Sequence, residues 1–303
     1  METVIERLPL GARIAVIRLR SLGDCVLTTP ALHILKAARP DLSIAVVVED
    51  AFAPVFEGNP DVDRILSPAT SDITRWRPEL VLNLHGGTRS AQLTLAARAR
   101  LRAGFGHFRF GPIYNVRIPR AQEILGVDRK VHTAEHLASA VFYLGVPLQE
   151  IPRACLFIPA PVEQVSRPVL PQAVIHPTAS DPDKTWPAEN FRILAENLKP
   201  DLEPIFISGR NEPLDDFGAY RCISGAPLTE IKSLLSTASL FIGNDSGPAH
   251  MAAAFGVPSI VLFGPSDHEV WAPWKTEATV LKSADIRGIS VDQVVGALAG
   301  LPA

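Results

Sequence analysis

Three short polar stretches carry the residue types that chemistry needs, and each follows an apolar run. The first is residues 18–29, RLRSLGDCVLTT. Gly23 permits a tight turn there, and Asp24 stands just before a segment with helical spacing. Aspartate favours a helix N-cap, and a carboxylate in this place could equally act as a general base on a hydroxyl. The second is residues 176–186, HPTASDPDKTW. Thr178 and Ser180 offer hydroxyls and Lys184 a compact positive charge, which together suit a diphosphate, although a solvated polar loop would look the same. Trp186-Pro187 reads as packing at a helix start. The third is residues 244–250, NDSGPAH. Asp245 could bond ribose or sugar hydroxyls or simply cap the next helix. Ser246 and Gly247 could donate to phosphate, and His250 is either a ligand or a satisfied helix-face histidine. Two smaller groups accompany these: Ser208-Gly209-Arg210 with Glu212, which could reach a ribose, and His85-Gly86-Gly87, which suits an acceptor pocket or a plain turn.

Other chemistries lose their support. Neither half has GxGxxG after its first strand, and GxxxxGK[ST], GxSxG and HExxH are absent, as is any Cys/His set at metal-ligand spacing. A net charge of −3 with scattered Lys and Arg offers no field for nucleic acid. Cys25, Cys155 and Cys222 are far apart and read as free thiols in a reducing compartment. With no signal-peptide pattern and no apolar run of about 18 residues, the expected location is cytoplasmic, with weak attachment to a membrane surface still open.

The elements that must hold these loops alternate. In the first half, strands are expected over 13–19, 43–48, 64–66 and 80–84, with an edge strand over 103–107. Helices are expected over 25–38, 51–57, 89–100 and 132–144, with 105–116 an aromatic loop. Pro30 inside the first helix is tolerable only in its first turns. The second half repeats the pattern: strands over 173–175, 204–208, 221–223, 240–243, 259–263 and 279–281, and helices over 188–198, 228–238, 249–255 and 291–298. Strand–helix alternation argues α/β, a parallel sheet covered on both faces. Six prolines between residues 147 and 172 mark a connection. The expectation is therefore two Rossmann-like, doubly wound domains facing a central cleft, 1–165 and 166–303, with the last helix free to return to the first domain. Ligands in such sheets sit at the carboxyl ends of strands, and the helix start near residue 248 favours an anion.

These stretches, in this order, resemble glycosyltransferase family 9, the ADP-heptose:lipopolysaccharide heptosyltransferases. Arg18 to Asp24 followed by Leu27-Thr28-Thr29-Pro30 looks like the opening motif of that family. His176-Pro177, Lys184 and Trp186-Pro187 look like its middle motif, and Asn244 to Ala254 like its DSGPxHxAAA signature, continued by Gly256-Val257-Pro258 and Phe263 to Asp267. The resemblance implies a GT-B fold, with the acceptor in the first domain and the nucleotide sugar in the second. It implies inverting transfer of a heptose or related sugar from an ADP-activated donor to a lipopolysaccharide inner-core acceptor, with Asp24 as catalytic base. Donor contacts would come from Thr178, Lys184, Ser208, Gly209, Glu212, Asp245, Ser246, Gly247 and His250. Acceptor contacts would come from Arg18, Arg20, Ser21, His85 and Gly86, with Arg89, Arg98, Arg100 and Arg102 as further basic candidates for an anionic acceptor. No cofactor or metal would be required, divalent-cation stimulation being left open. The partners would be a nucleotide-sugar donor and a lipid-linked saccharide, with peripheral contact at the inner face of the cytoplasmic membrane left open and no nucleic acid. The competing readings are another GT-B transferase or epimerase using a different nucleotide sugar, and a non-catalytic nucleotide-sugar-binding protein.

Overall fold

The computed structural model describes residues 2–158, 170–179 and 181–301. The chain divides into two compact units, Met1–Pro159 and Ala160–Ala303. The expected boundary near 165 lies outside the described residues, as does Ser180.

In the first unit the strands are β1 (Arg13–Ile17), β2 (Ser43–Val47), β3 (Arg64–Leu66), β4 (Leu80–Asn83), β5 (Leu101–Phe105) and β6 (Val116–Ile118). The helices are α1 (Leu22–Ala38), α2 (Thr70–Trp76), α3 (Thr88–Ala96), α4 (Ala121–Leu125) and α5 (Thr133–Tyr143). The sheet order is β3-β2-β1-β4-β5-β6, every pair parallel. Ile14, Ala15, Val16 and Ile17 are all fully buried, as expected of a central strand covered on both faces, where an unbroken apolar run replaces alternation. Helices α1 and α5 pack on each other. The second unit has β7 (Gln172–His176), β8 (Glu203–Ser208), β9 (Arg221–Ser224), β10 (Leu240–Asn244), β11 (Ser259–Phe263) and β12 (Ala278–Lys282). Its helices are α6 (Ala188–Leu198), α7 (Leu228–Ser236), α8 (Gly247–Phe255), α9 (His268–Trp271) and α10 (Val291–Leu298). The order β12-β11-β10-β7-β8-β9 is again wholly parallel. Phe191 and Leu194 of α6, Phe206 of β8, Ile242 of β10 and Val294 of α10 share one core, so α10 packs on α6 within its own unit.

Several expectations change. The strand expected at the sheet edge, β5, is internal: it pairs with β4 on one side and β6 on the other. The aromatic stretch expected as a loop holds a 3-10 turn (Gly111–Ile113) and leads into β6. Helix α1 begins at Leu22 and not at Cys25, because Ser21 is its N-cap and Asp24 lies in its first turn, reaching back to the Ser21 N–H and hydroxyl. Pro30 lies well beyond the first turns of α1. Its missing N–H would orphan the Val26 carbonyl four residues back, and the Thr29 hydroxyl donates to that carbonyl at 2.8 Å instead. Among the described residues, no helix is long and apolar enough to cross a membrane.

Candidate functional site

The first unit places its chemistry where β1 and β4 end side by side, Ile17 opposite Asn83. Beyond β1, the chain runs through Arg18 to Ser21, across a cis Arg20–Ser21 peptide bond, into α1. The Arg18 guanidinium forms an ion pair with the Asp24 carboxylate and donates to the Leu84 carbonyl at 2.5 Å. Burial pulls Arg18 down to about 10, which still leaves it charged at neutral pH. The other Asp24 oxygen accepts from the Ser21 hydroxyl at 3.0 Å. Asp24 is thus a first-turn residue with a fixed orientation and not the cap. Its side chain remains 17% exposed.

Beyond β4, the buried Asn83 side chain builds the next loop. Its oxygen accepts from the N–H groups of His85 and Gly86, at 3.0 and 3.1 Å, and its amide donates to Thr94 and to the Tyr114 hydroxyl. Gly86 has φ +77°, and a Cβ there would stand 2.7 Å from the Phe108 ring. Only glycine meets both demands. Burial lowers the His85 pKa, and the nearby charges of Arg18 and Arg20 lower it further. Arg20 and Ser21 are exposed at the same edge. Arg98, Arg100 and Arg102 belong elsewhere. They precede or begin β5, whose Leu101 pairs with Leu80 at the start of β4, so they lie at the amino edge of the sheet. The Arg102 guanidinium donates to the Ile113 carbonyl. Arg89 pairs with Glu49 at 3.7 Å.

The structure adds two histidines that the sequence reading passed over. His136, on α5, stacks on Phe105 at 4.0 Å between ring centroids, and His107 lies 5.8 Å from it. Burial holds His136 at about 4, helped by His107 and Arg18. The signal available in the sequence is the stretch 105–116 itself, whose aromatic residues pack around Phe105 and His136.

In the second unit the loops after β7, β8 and β10 meet at the carboxyl edge. Gly243 of β10 pairs in register with His176, the last residue of β7. A Cβ at Gly243 would come within 2.9 Å of the His176 carbonyl, so the close approach of these strands depends on glycine. His176 is buried. Its Nδ1 lies 3.0 Å from the Ser246 hydroxyl, and its Nε2 lies 3.3 Å from Thr178 and 3.7 Å from Glu212. The Thr178 hydroxyl donates to the Glu212 carboxylate in a short hydrogen bond, and the Gly209 N–H donates to the same oxygen at 3.0 Å. Burial works to raise Glu212, but those two donors outweigh it and lower its pKa. Burial pulls His176 down to about 4, so the ring is neutral. Ser208 ends β8 and donates to the Glu212 carbonyl at 2.7 Å.

Lys184 and Asp245 form an ion pair at 3.3 Å. The Asp245 side chain is 9% exposed and that of Lys184 is 32% exposed, so the ammonium is the more open member. Asn244 joins the two loops behind them: its oxygen accepts from the Trp186 N–H at 3.1 Å and its amide donates to the Pro177 carbonyl at 2.9 Å. Trp186 is fully buried, donates to the Ile289 carbonyl and meets Phe191 edge-on, as a packing residue should. Gly247 opens α8 with Pro248 next, and His250 is buried on the same helix. The expected donor residues thus form two joined groups, Lys184–Asp245 and Thr178–Glu212–Ser208–Gly209, beside the start of α8. Among the described residues, no three His, Cys, Asp or Glu side chains are arranged to hold a metal ion.

Known proteins resemble this chain in sequence and in fold. The family model for glycosyltransferase family 9 (heptosyltransferase) matches residues 73–293. Lipopolysaccharide heptosyltransferase 3 of Escherichia coli is 26% identical over 302 residues, covering 88% of this chain and 87% of that protein. Lipopolysaccharide heptosyltransferase 1 of Salmonella typhimurium is 24% identical, covering 84% of this chain and 89% of its own length. Among solved structures, a family 9 glycosyl transferase from Veillonella parvula superposes with a TM-score of 0.81 at 24% identity, over 95% of this chain and 96% of that one. The E. coli ADP-heptose lipopolysaccharide heptosyltransferase II gives 0.78 at 20% identity, over 95% and 98%. These likenesses establish the α/β GT-B fold. With the family model spanning most of its length, the chain belongs to glycosyltransferase family 9, the heptosyltransferases, and is a glycosyltransferase.

Proposed function

We propose that this enzyme transfers a heptose from an ADP-activated donor to a saccharide of the lipopolysaccharide inner core, with inversion at the anomeric carbon. The observation that carries the reading is the Lys184–Asp245 pair beside the start of α8, a part-exposed ammonium whose partner lies two residues before a helix amino end. Both favour a diphosphate, and both stabilise the negative charge that grows on a leaving ADP. Asp245 holds the ammonium on one side and offers an oxygen to a sugar hydroxyl on the other. Glu212, kept ionised by Thr178 and Gly209, offers its free oxygen to the nucleotide ribose. Family membership and the names of the curated relatives support the heptose donor and the lipopolysaccharide acceptor.

In the first unit, Asp24 acts as general base. Its ion pair with Arg18 and its bond from Ser21 fix the carboxylate, which takes the proton of the acceptor hydroxyl as that oxygen attacks the anomeric carbon from the side opposite the ADP. Arg18 and Arg20 give this edge positive charge suited to an anionic acceptor, and the His85 ring adds a hydrogen-bonding nitrogen. The charge on the leaving group is met by Lys184 and backbone N–H groups, so the reaction needs no metal cofactor, and turnover should persist in EDTA. The work is done in the cytoplasm at the inner face of the membrane, where a lipid-linked acceptor is presented.

The test is purified enzyme with ADP-heptose and a lipid-linked inner-core acceptor. ADP release matched by glycosylated product, with the new bond of opposite anomeric configuration to the donor, is the expected result. Matched turnover with a UDP- or GDP-sugar and none with ADP-heptose would replace the donor assignment. Binding without turnover on any donor and acceptor would reject catalysis.

A further inference from the structure

Ser246 is the N-cap of α8, and a serine there ordinarily turns its hydroxyl onto the N–H groups of its own helix. In this protein it makes no such bond. The hydroxyl lies instead 3.0 Å from His176 Nδ1. The proton positions on this line of side chains follow from valence. The Glu212 carboxylate can only accept, and it takes the one proton of the Thr178 hydroxyl. Thr178 can therefore only accept from His176, so the ring proton sits on Nε2, which also faces Glu212 at 3.7 Å. The buried ring is neutral, so Nδ1 carries a lone pair and the Ser246 hydroxyl must donate to it. A charge on the β8 loop thus fixes, through one imidazole, the rotamer of a serine on the β10 loop.

We propose that His176 is a positioning residue for donor binding: held as the Nε2–H tautomer by Thr178 and Glu212, it draws the Ser246 hydroxyl away from the start of α8 and so keeps that helix end open to the diphosphate. Without His176, Ser246 falls back to the usual N-cap rotamer, its oxygen accepts from the first-turn N–H groups, and the anion must displace it. The sequence offered Ser246 as a direct phosphate donor. Its proton is committed to His176 instead. This inference rests on the donor reading above and adds a residue to it that touches no ligand.

Two measurements test it. The first is calorimetric binding of ADP to wild type, His176→Gln and His176→Gln/Ser246→Ala, with thermal melts run alongside. Glutamine reaches Thr178 but places no acceptor at the Nδ1 position. The single variant should bind ADP about tenfold more weakly, and the double variant should recover most of that loss, since removing the serine oxygen removes the competitor. A merely structural role for His176 would leave the double variant as weak as the single one or weaker, and that result overturns the proposal. So does a single variant with wild-type affinity. Wild type that fails to bind ADP rejects the donor reading itself, which separates the two failures. The second measurement uses wild type alone and stands even if His176→Gln does not fold: ¹⁵N imidazole shifts at neutral pH, with His176 assigned by its response to Ser246→Ala. An Nε2–H signature is expected, and an Nδ1–H tautomer or an imidazolium overturns the proposal.

Discussion

The Arg18 guanidinium and the Asp24 carboxylate are held together at the carboxyl edge of the first sheet, with side chains only 10% and 17% exposed. Removing one partner strands the other: an unpaired, largely buried charge costs about 3–5 kcal/mol. Asp24→Ala is therefore expected to abolish transfer, lower the melting temperature and leave ADP affinity within about twofold of wild type. The double variant Arg18→Met/Asp24→Ala should recover stability without recovering turnover. Near wild-type turnover in either would show that Asp24 is not the base.

Lys184→Ala removes the more open half of the second ion pair and leaves Asp245 facing the incoming diphosphate. The loss of charge neutralisation and the added repulsion act in the same direction. ADP affinity should fall by about tenfold or more, with the loss shrinking as salt is raised. An unchanged calorimetric affinity would remove Lys184 from the phosphate site.

Gly86→Ala meets a left-handed backbone (φ +77°) and the Phe108 ring at 2.7 Å. The expected cost is about 1–3 kcal/mol in urea unfolding. Because the His85–Gly86 turn hangs from Asn83, KM for the acceptor should rise while ADP affinity stays put. A fall in ADP affinity alone would place this turn on the donor side.

Burial holds the pKa of both His136 and His176 at about 4 in the folded protein, below the ordinary histidine value of 6.5. The unfolded chain therefore takes up protons first as pH falls below 6.5. Stability is complete above that value, declines between about 6.5 and 4, and levels off below the folded value, with a slope approaching about 1.4 kcal/mol per pH unit for each ring. Urea unfolding at a series of pH values should show the decline, and His136→Phe should remove one ring's share of the slope. A stability independent of pH across this window would mean that the rings are not buried as neutral groups.

Much of the architecture was legible because parallel strands buried on both faces are continuous apolar runs. Residues 240–243 and 259–263 could be little else, and β11, α6 and α10 fall where periodicity puts them. What escaped notice was short or mixed. β6 has three residues with a charged Arg117 at its centre, and α2 buries only Ile73. The identities of the site residues were legible, but their pairings were not. Nothing in the spacing of Lys184 and Asp245, or of Thr178 and Glu212, says that they touch, because those contacts are made by strand order. The start of α1 was misjudged for a local reason: both Ser21 and Asp24 have cap chemistry, and only the backbone shows which one flanks the helix. Arg98, Arg100 and Arg102 looked like partners of an anion until the register of β5 with β4 put them at the far edge.

Asn244 holds the Trp186 N–H with one end of its amide and the Pro177 carbonyl with the other. The segment bearing Lys184 and the turn bearing Asp245 are thus tied to one side chain, and neither can open without breaking its bonds. In hydrogen-exchange terms they form a single protected group: the backbone amides of Trp186 and Asp245 should exchange at one shared opening rate, and Asn244→Ala should split that group into two.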